Sequence, residues 1–318
     1  MRFLDGGPGV DSARPFGQNP PMPTPVIIEA AVNGGTPKAR NPNVPRSPAE
    51  VAADGLRCLG AGAAIVHNHN DEPVVGGANG FHDPAPYAEA WRAILERRPD
   101  AILYPTMASG GPHTTFAERY GHIVTLAESG ILKMGLVDPG SVNAGGVGPD
   151  GLPMPIETPY INSLADARRM FAVCERHNLA PSISIFEPGF LRVVLAYHRA
   201  RRLPRGSLVK LYFGGENALF GLPPTQPSLE AYLAMLEPTG LPWSVAVLGG
   251  DVIGCGLARH AIERGGHIRV GLEDYAGPRQ PTNEELVHEA VDLCTEVGRP
   301  VASCDQTWEM LRGQGVAA

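Results

Sequence analysis

His267-Ile268-Arg269-Val270-Gly271-Leu272-Glu273-Asp274 reads as a short strand that runs out into two acids. It is the last of eight such runs, and that count decides the fold. The others, working back to the start, are Ser244–Leu248, Val209–Phe213, Pro181–Phe186, Lys133–Val137, Ala101–Thr106, Ala64–His69 and Val26–Val32. Each is short and apolar or β-branched, and a longer stretch of helical periodicity follows it. The helices are read as Pro48 to about Ala61, Pro84–Arg98, about Phe116–Ser129, Leu164–His177, Gly189–Arg201, Leu229–Leu236, Val252–Arg264 and Asn283–Val297, with a last one at Cys304–Leu311. Ser47 is placed as an N-cap, with Pro48 at the first helical position and Glu50 closing a capping box. Asp83 is placed as the cap of the second helix. Strict strand–helix alternation implies a parallel sheet, and eight units at this length predict a closed (β/α)8 TIM barrel rather than an open doubly wound sheet. The chain is therefore read as one α/β barrel domain over residues 25–318, preceded by a Pro/Gly-rich N-terminal arm over residues 1–24.

The 39 glycines and 32 prolines, roughly 22% of the chain, stay below the share that marks a low-complexity sequence. They punctuate elements instead. Gly-Gly pairs at 34–35, 76–77, 110–111, 145–146, 214–215 and 249–250 all follow strands, so all six fall on the C-terminal face of a barrel. Chemistry in this fold sits there, and glycine lets backbone N–H groups approach an anion. Gly265-Gly266 follows a helix and reads as a C-cap. The net charge of −7 and an aromatic content of 6% argue against nucleic acid as a partner. Cys58, Cys174, Cys255, Cys294 and Cys304 are odd in number and scattered, which points to reduced thiols in a cytoplasmic protein. Residues 1–24 lack the apolar core of a signal peptide, and no apolar run is long enough to span a bilayer.

His67 and His69 end the second strand two residues apart, so their imidazoles share the inward face. Such a pair is either half of a zinc or iron site or a set of hydrogen-bonded core histidines. Arg269, Gly271 and Glu273 share a face of the eighth strand, with Asp274 starting the loop. Glu273 can therefore point inward near both histidines, across the first strand. Two His and one Glu leave open positions for water or substrate, as in a catalytic metal site. Glu29 lies within the otherwise apolar first strand, which ends at Asn33. An acid there is costly unless paired. It reads as a partner of a ligating histidine, a contact to a cationic substrate group, or a salt bridge low in the barrel. Ser109, Gly110 and Gly111 offer a hydroxyl and backbone N–H groups to a carboxylate or phosphate, and Asp138 and Ser141 reach toward the same mouth. His198-Arg199-Ala200-Arg201-Arg202 and Arg205 fall on the opposite face, as helix-terminal cations or a phosphate site.

Taken together these residues resemble the β-keto acid cleavage enzyme family. The resemblance is carried by Asn41-Pro42-Asn43-Val44-Pro45 with Ser47-Pro48, by Val66-His67-Asn68-His69, by Gly265 through Asp274, and by Gly298-Arg299-Pro300-Val301-Ala302. It covers about Pro25 to Leu311, and the strand-eight motif is its specific part. It implies a zinc-dependent barrel enzyme that condenses a β-keto acid with acetyl-CoA to give acetoacetate and a new acyl-CoA. Carried over, His67, His69 and Glu273 would hold the metal. Asp274 would abstract a proton, and Arg269 would stabilise the developing oxyanion. Ser109, Gly110, Gly111, Glu29, Asn33 and Asp138 would face substrate. The chain departs from the family pattern at Asp71, Ala108, Leu136, Asp138 and Tyr275. Other readings of the same residues are a metal-dependent retro-aldol or hydrolytic C–C lyase working without CoA, and a metal-binding barrel without catalysis. A homo-oligomer is expected from the proline-rich arm.

Overall fold

The computed structural model describes residues 23–70, 83–108, 114–157, 159–216 and 218–313. The elements alternate in chain order. They are β1 (Ile28–Ala31), α1 (Pro48–Ala61), β2 (Ile65–Asn68), α2 (Ala85–Arg97), β3 (Ile102–Pro105), α3 (Phe116–Glu128), β4 (Met134–Val137) and α4 (Leu164–Arg176). Then come β5 (Ala180–Ile185), α5 (Pro188–Arg199), β6 (Leu208–Gly214), α6 (Gln226–Leu236), β7 (Trp243–Leu248), α7 (Leu257–Glu263), β8 (His267–Val270), α8 (Asn283–Val297) and α9 (Cys304–Gly313). All strand pairs are parallel, in the order β3-β2-β1-β8-β7-β6-β5-β4, and β3 lies against β4 to complete the ring. This is the (β/α)8 barrel that the alternation implied. The arm over 1–24 falls almost wholly outside the described residues.

Local chemistry explains the helix starts. Ser47 caps α1 with Glu50 closing the box, and Thr115/Glu118, Ser163/Asp166 and Thr282/Glu285 repeat the device at α3, α4 and α8. Asp83 Oδ1 accepts from the Ala85 N–H at 2.8 Å at the head of α2. One helix is much shorter than its sequence pattern suggested. The stretch from Val252 turns before α7 begins at Leu257. Asp251 Oδ1 captures the N–H groups of Ile253 and Gly254, and Gly256 sits at φ 81°, so the helix cannot start earlier.

The stretches outside the mouth that carry the family resemblance are structural ties. Asn41 Nδ2 donates to the Pro281 carbonyl at 2.8 Å, joining the loop after β1 to the loop after β8. Arg299 donates to the carbonyls of Thr24, Ile262 and Gly266, pinning the chain's entry to the far end of the barrel. His198, Arg199, Arg201 and Arg205 line a cleft of about 910 Å³ at that same far end, away from the strand C-termini. Cys58, Cys174, Cys294 and Cys304 are buried, Cys255 is exposed, and all are free thiols. Among the described residues no helix is long and apolar enough to cross a membrane.

Inside the barrel the upper layers are polar. Glu29, His67, Ser182, Ser184, Lys210, Ser244 and Arg269 are each at most 3% exposed. A core of this kind is stable only if its charges pair.

Candidate active site and metal centre

Register sets the first part of the site. Ala31 pairs with His67, and His67 with Tyr104, so the β2 histidine stands at the mouth end of three adjacent strands. His67 Nδ1 lies 3.2 Å from the Tyr104 carbonyl, and its ring stacks on Tyr104 with centroids 4.4 Å apart. A carbonyl accepts only, so Nδ1 carries the hydrogen and Nε2 presents a lone pair. Burial pushes the His67 pKa down to about 4, against the pull of Glu273, which keeps the ring neutral.

Asn33 positions the second histidine. Its Oδ1 accepts from the N–H groups of Gly34 and His69, both at 2.8 Å, and its Nδ2 donates to the carbonyls of Pro45 and His69. Both donors and both acceptor positions of the amide are thus held by backbone. Asn33 thereby anchors the β2 terminus.

Glu273 arrives by a turn, not by strand alternation. β8 ends at Val270, and Gly271 takes φ 137°. A Cβ there would stand 2.1 Å from the Ala31 carbonyl oxygen, so only glycine fits. The Leu272 N–H is fixed by Asn283 Oδ1 at 2.8 Å, and the Glu273 N–H by the Ala31 carbonyl at 3.1 Å. Gly34 is the matching gap opposite, since a Cβ on it would lie 2.2 Å from Glu273 Cγ. The Glu273 carboxylate ends 3.3 Å from His67 Nε2 and 3.4 Å from His69 Nε2.

The same turn returns Asp274 to the interior, where period-two alternation had put it in the loop. Arg269 Nε and Nη2 donate to Asp274 Oδ2 and Oδ1 at 2.7 and 3.0 Å. Nη2 also reaches Glu273 at 2.7 Å, and Nη1 reaches Glu29 at 2.9 Å and the Tyr104 hydroxyl at 3.4 Å. Every N–H of this fully buried guanidinium has an acceptor. Burial alone would raise the Glu273 pKa, but Arg269 with His69 and His67 outweighs it and holds the carboxyl well below the usual range. Burial keeps Asp274 raised despite Arg269.

Glu29 sits one layer lower, 1% exposed. Its Oε1 takes Lys210 Nζ at 3.2 Å, Arg269 Nη1 and the Tyr104 hydroxyl, and the Tyr104 hydroxyl also bonds Lys210. Of the three readings open for Glu29, the structure builds the buried salt bridge. It lies one layer beneath His67, in register with Ile65 and Arg269. Lys210, Tyr104 and Tyr212 were not singled out by the sequence. Lys210 carried the signal used for Glu29, a charge inside an apolar strand.

Asp138 lies at the end of β4, 5% exposed, and accepts from the Tyr160 hydroxyl at 2.6 Å. Ser141 Oγ instead ties the Asn162 backbone, with two bonds of 3.0 Å. Ser109, Gly110, Gly111 and Asp71 lie outside the described residues, as do the pairs Gly76-Gly77 and Gly110-Gly111. The four described pairs after strands all follow strand ends on this face. Two of them, Gly145-Gly146 and Gly249-Gly250, line a cleft of about 510 Å³ together with Arg40, Glu216, Asp251 and Gly277.

His67, His69 and Glu273 form a possible metal-binding group, with one ligand atom from each within 4.8 Å of the others. His69 Nε2 and Glu273 Oε2 are buried and have no hydrogen-bond partner. Two imidazoles and a carboxylate with such orphaned atoms fit a divalent cation of the zinc type.

Residues 25–312 match the family model described as beta-keto acid cleavage enzyme. The chain is 27% identical over 295 residues to the 3-keto-5-aminohexanoate cleavage enzyme of Fusobacterium nucleatum, covering 90% of this chain and 97% of that protein. It is 28% identical over 300 residues to the 3-oxoadipate:acetyl-CoA acetyltransferase of Cupriavidus necator, covering 91% and 95%. Among solved structures, a ternary complex of ObcA with a C4-CoA adduct and oxalate shares the fold at a TM-score of 0.65 and 18% identity, covering 86% of this chain and 68% of that one.

Proposed function

The chain belongs to the beta-keto acid cleavage enzyme family, and on that premise we propose that it is an acyltransferase acting on a β-keto acid and acetyl-CoA. The acetyl group joins the carboxymethyl carbon of the substrate as acetoacetate, and CoA takes the remaining acyl part as a new thioester. The observation that carries this reading is the convergence of His67, His69 and Glu273 beside the Arg269–Asp274 pair. These three residues would hold a zinc ion, whose chemistry is to polarise a carbonyl and lower the cost of enolate-type charge. Asp274, with its pKa raised by burial, is the proton acceptor. Arg269 holds that carboxylate by two N–H groups. Its charge acts on the developing oxyanion as a field across the site, since its own N–H groups are already engaged. Asp138 faces substrate from the other side of the ring. Ser109, Gly110 and Gly111 would meet the substrate carboxylate, and the glycine-lined cleft would admit the thioester end of acetyl-CoA.

Free cysteines accord with a cytoplasmic setting. The exposed Leu152, Met154, Ile156 and Leu219 accord with burial in a homo-oligomer. The test is elemental analysis of purified protein, coupled to an acetyl-CoA-dependent assay for acetoacetate over a panel of β-keto acids. Wild type should hold one zinc per chain and need acetyl-CoA, and His67→Ala and Glu273→Ala should lose both metal and turnover. Stoichiometric zinc in Glu273→Ala, or C–C cleavage without acetyl-CoA, would overturn the reading.

A further inference from the structure

Leu272, the residue before Glu273, is held through its backbone. Its N–H donates to Asn283 Oδ1 at 2.8 Å, and its carbonyl accepts from Thr36 Oγ1 at 2.7 Å. The peptide plane it shares with Glu273 is closed by the Glu273 N–H on the Ala31 carbonyl at 3.1 Å. The plane it shares with Gly271 is closed by the Asp274 and Tyr275 N–H groups on the Gly271 carbonyl, at 3.2 and 3.0 Å. Two successive planes pinned in this way fix both soft dihedrals of Leu272, and with them the direction in which Glu273 leaves the chain.

Asn283 does more than accept that one hydrogen. It opens α8 and is fully buried. Its Nδ2 donates to the Val32 carbonyl at 2.8 Å and to Asp54 Oδ2 at 2.6 Å. Val32 precedes Asn33, whose amide holds the His69 backbone, and the Val32 N–H donates to the His67 carbonyl at 2.9 Å. One amide thus ties the turn that carries Glu273 to the strand end that anchors both histidines. Its orientation is dictated from behind. Asp54 and Val32 present only oxygen to Nδ2, so Oδ1 has to face Leu272. Asp54 is itself buried on α1, with Arg57 Nη2 on its Oδ1 at 2.7 Å. Neither Asp54 nor Asn283 is one of the three candidate ligands.

We infer that Asn283, oriented by Asp54, is the positioning residue of the metal centre, setting how far Glu273 stands from His67 and His69. This rests on the reading of those three residues as metal ligands. It goes further in assigning the ligand spacing to a side chain on α8 and its partner on α1, outside the barrel strands. Two ligand atoms on one tetrahedral zinc stand about 3.4 Å apart, so displacing the Glu273 turn by about 0.5 Å spoils the fit.

The experiment measures zinc affinity by chelator competition, and the visible spectrum of the cobalt-loaded protein, for wild type, Asn283→Ala, Asp54→Ala and Asp54→Asn. Urea unfolding of each metal-free protein reports stability separately. Asn283→Ala should weaken zinc by about 10- to 100-fold and shift the cobalt bands, which follow ligand geometry. Asp54→Ala should act in the same direction to a smaller extent. It removes no contact with the turn itself, so it decides the matter where Asn283→Ala does not fold. Asp54→Asn keeps an acceptor for the amide and should restore zinc binding to within about 3-fold of wild type. Leu229→Ala, a truncation of the buried core on α6, should lower stability and leave zinc affinity unchanged. Wild-type zinc affinity and cobalt spectrum in Asp54→Ala or Asn283→Ala overturn the inference, whatever the loss of stability. So does an Asp54→Asn variant that binds zinc no better than Asp54→Ala. A wild type that binds neither metal overturns the inference and the metal reading together. If the variants lose zinc as expected yet wild type turns over no β-keto acid, the inference stands and the proposed reaction fails. If wild type turns over with acetyl-CoA and the variants bind zinc as it does, the reaction stands and the inference fails.

Discussion

Glu29→Gln tests whether the polar interior is held together by charge. Glu29 Oε1 is the shared acceptor of Lys210, Arg269 and the Tyr104 hydroxyl. Without its charge, Arg269 keeps Asp274 and Glu273, but Lys210 has no carboxylate left. The loss should therefore fall on Lys210, a fully buried ammonium. Removing one partner of a buried pair costs about 3–5 kcal/mol. Titration gives a figure of the same size. Burial raises the Glu29 pKa, but Lys210, Arg269 and His67 outweigh it and bring it from 4.5 to about 2. That shift amounts to about 3 kcal/mol, present above the unfolded pKa and lost as pH falls from 4.5 toward 2. Lys210→Met alone should cost less, since Glu29 retains Arg269. The double variant should recover about 2 kcal/mol of the summed losses, because neither charge is then stranded. The assay is urea unfolding at pH 7.5 of the two single variants and the double. Additivity within about 0.5 kcal/mol, or a Glu29→Gln midpoint equal to wild type, would refute the coupling.

Two further outcomes follow from the same geometry. Gly271→Ala should lower the melting temperature sharply and lose metal with it. The new Cβ collides with the Ala31 carbonyl that fixes Glu273, and φ 137° is strained for any other residue. A variant that melts and binds metal as wild type does would disprove the need for that turn. His267 Nδ1 accepts from the Ile27 N–H at 3.0 Å, and burial, with Arg299, lowers its pKa from 6.5 to about 3. The unfolded chain therefore takes up this proton first, and stability falls as pH drops below 6.5, by about 1.4 kcal/mol per unit. His267→Gln should remove that share of the slope between pH 6.5 and 4.5. An unchanged slope would show that this histidine does not titrate on unfolding.

What the sequence made legible was set by period and chemistry acting locally. Capping boxes such as Ser47/Glu50 are complete within four residues, and the i, i+2 rule puts His67 and His69 on one face. Legibility fails where a pairing spans the ring. Alternation tells which side chains point inward, but Glu29 on β1 meets Lys210 on β6, and no spacing along the chain encodes that encounter. It fails again where glycine breaks the period. Gly271 turns the chain so that Glu273 and Asp274 both face Arg269, and Gly256 delays α7 to Leu257. In each case a single backbone angle, not a propensity, decides where the following side chains go.

The charges of the mouth, taken together, say why a divalent cation would suit it. Glu29, Glu273, Asp274 and Asp138 set four carboxylates, when ionised, against Lys210 and Arg269, with the neutral His67 between them. Two negative charges in a poorly solvated interior are costly, and protonating Asp138 relieves only one. A divalent cation at His67, His69 and Glu273 would balance the set. A protein stripped of metal should therefore unfold at lower urea at pH 7.5 than the metal-loaded one, and equal midpoints would refute the balance.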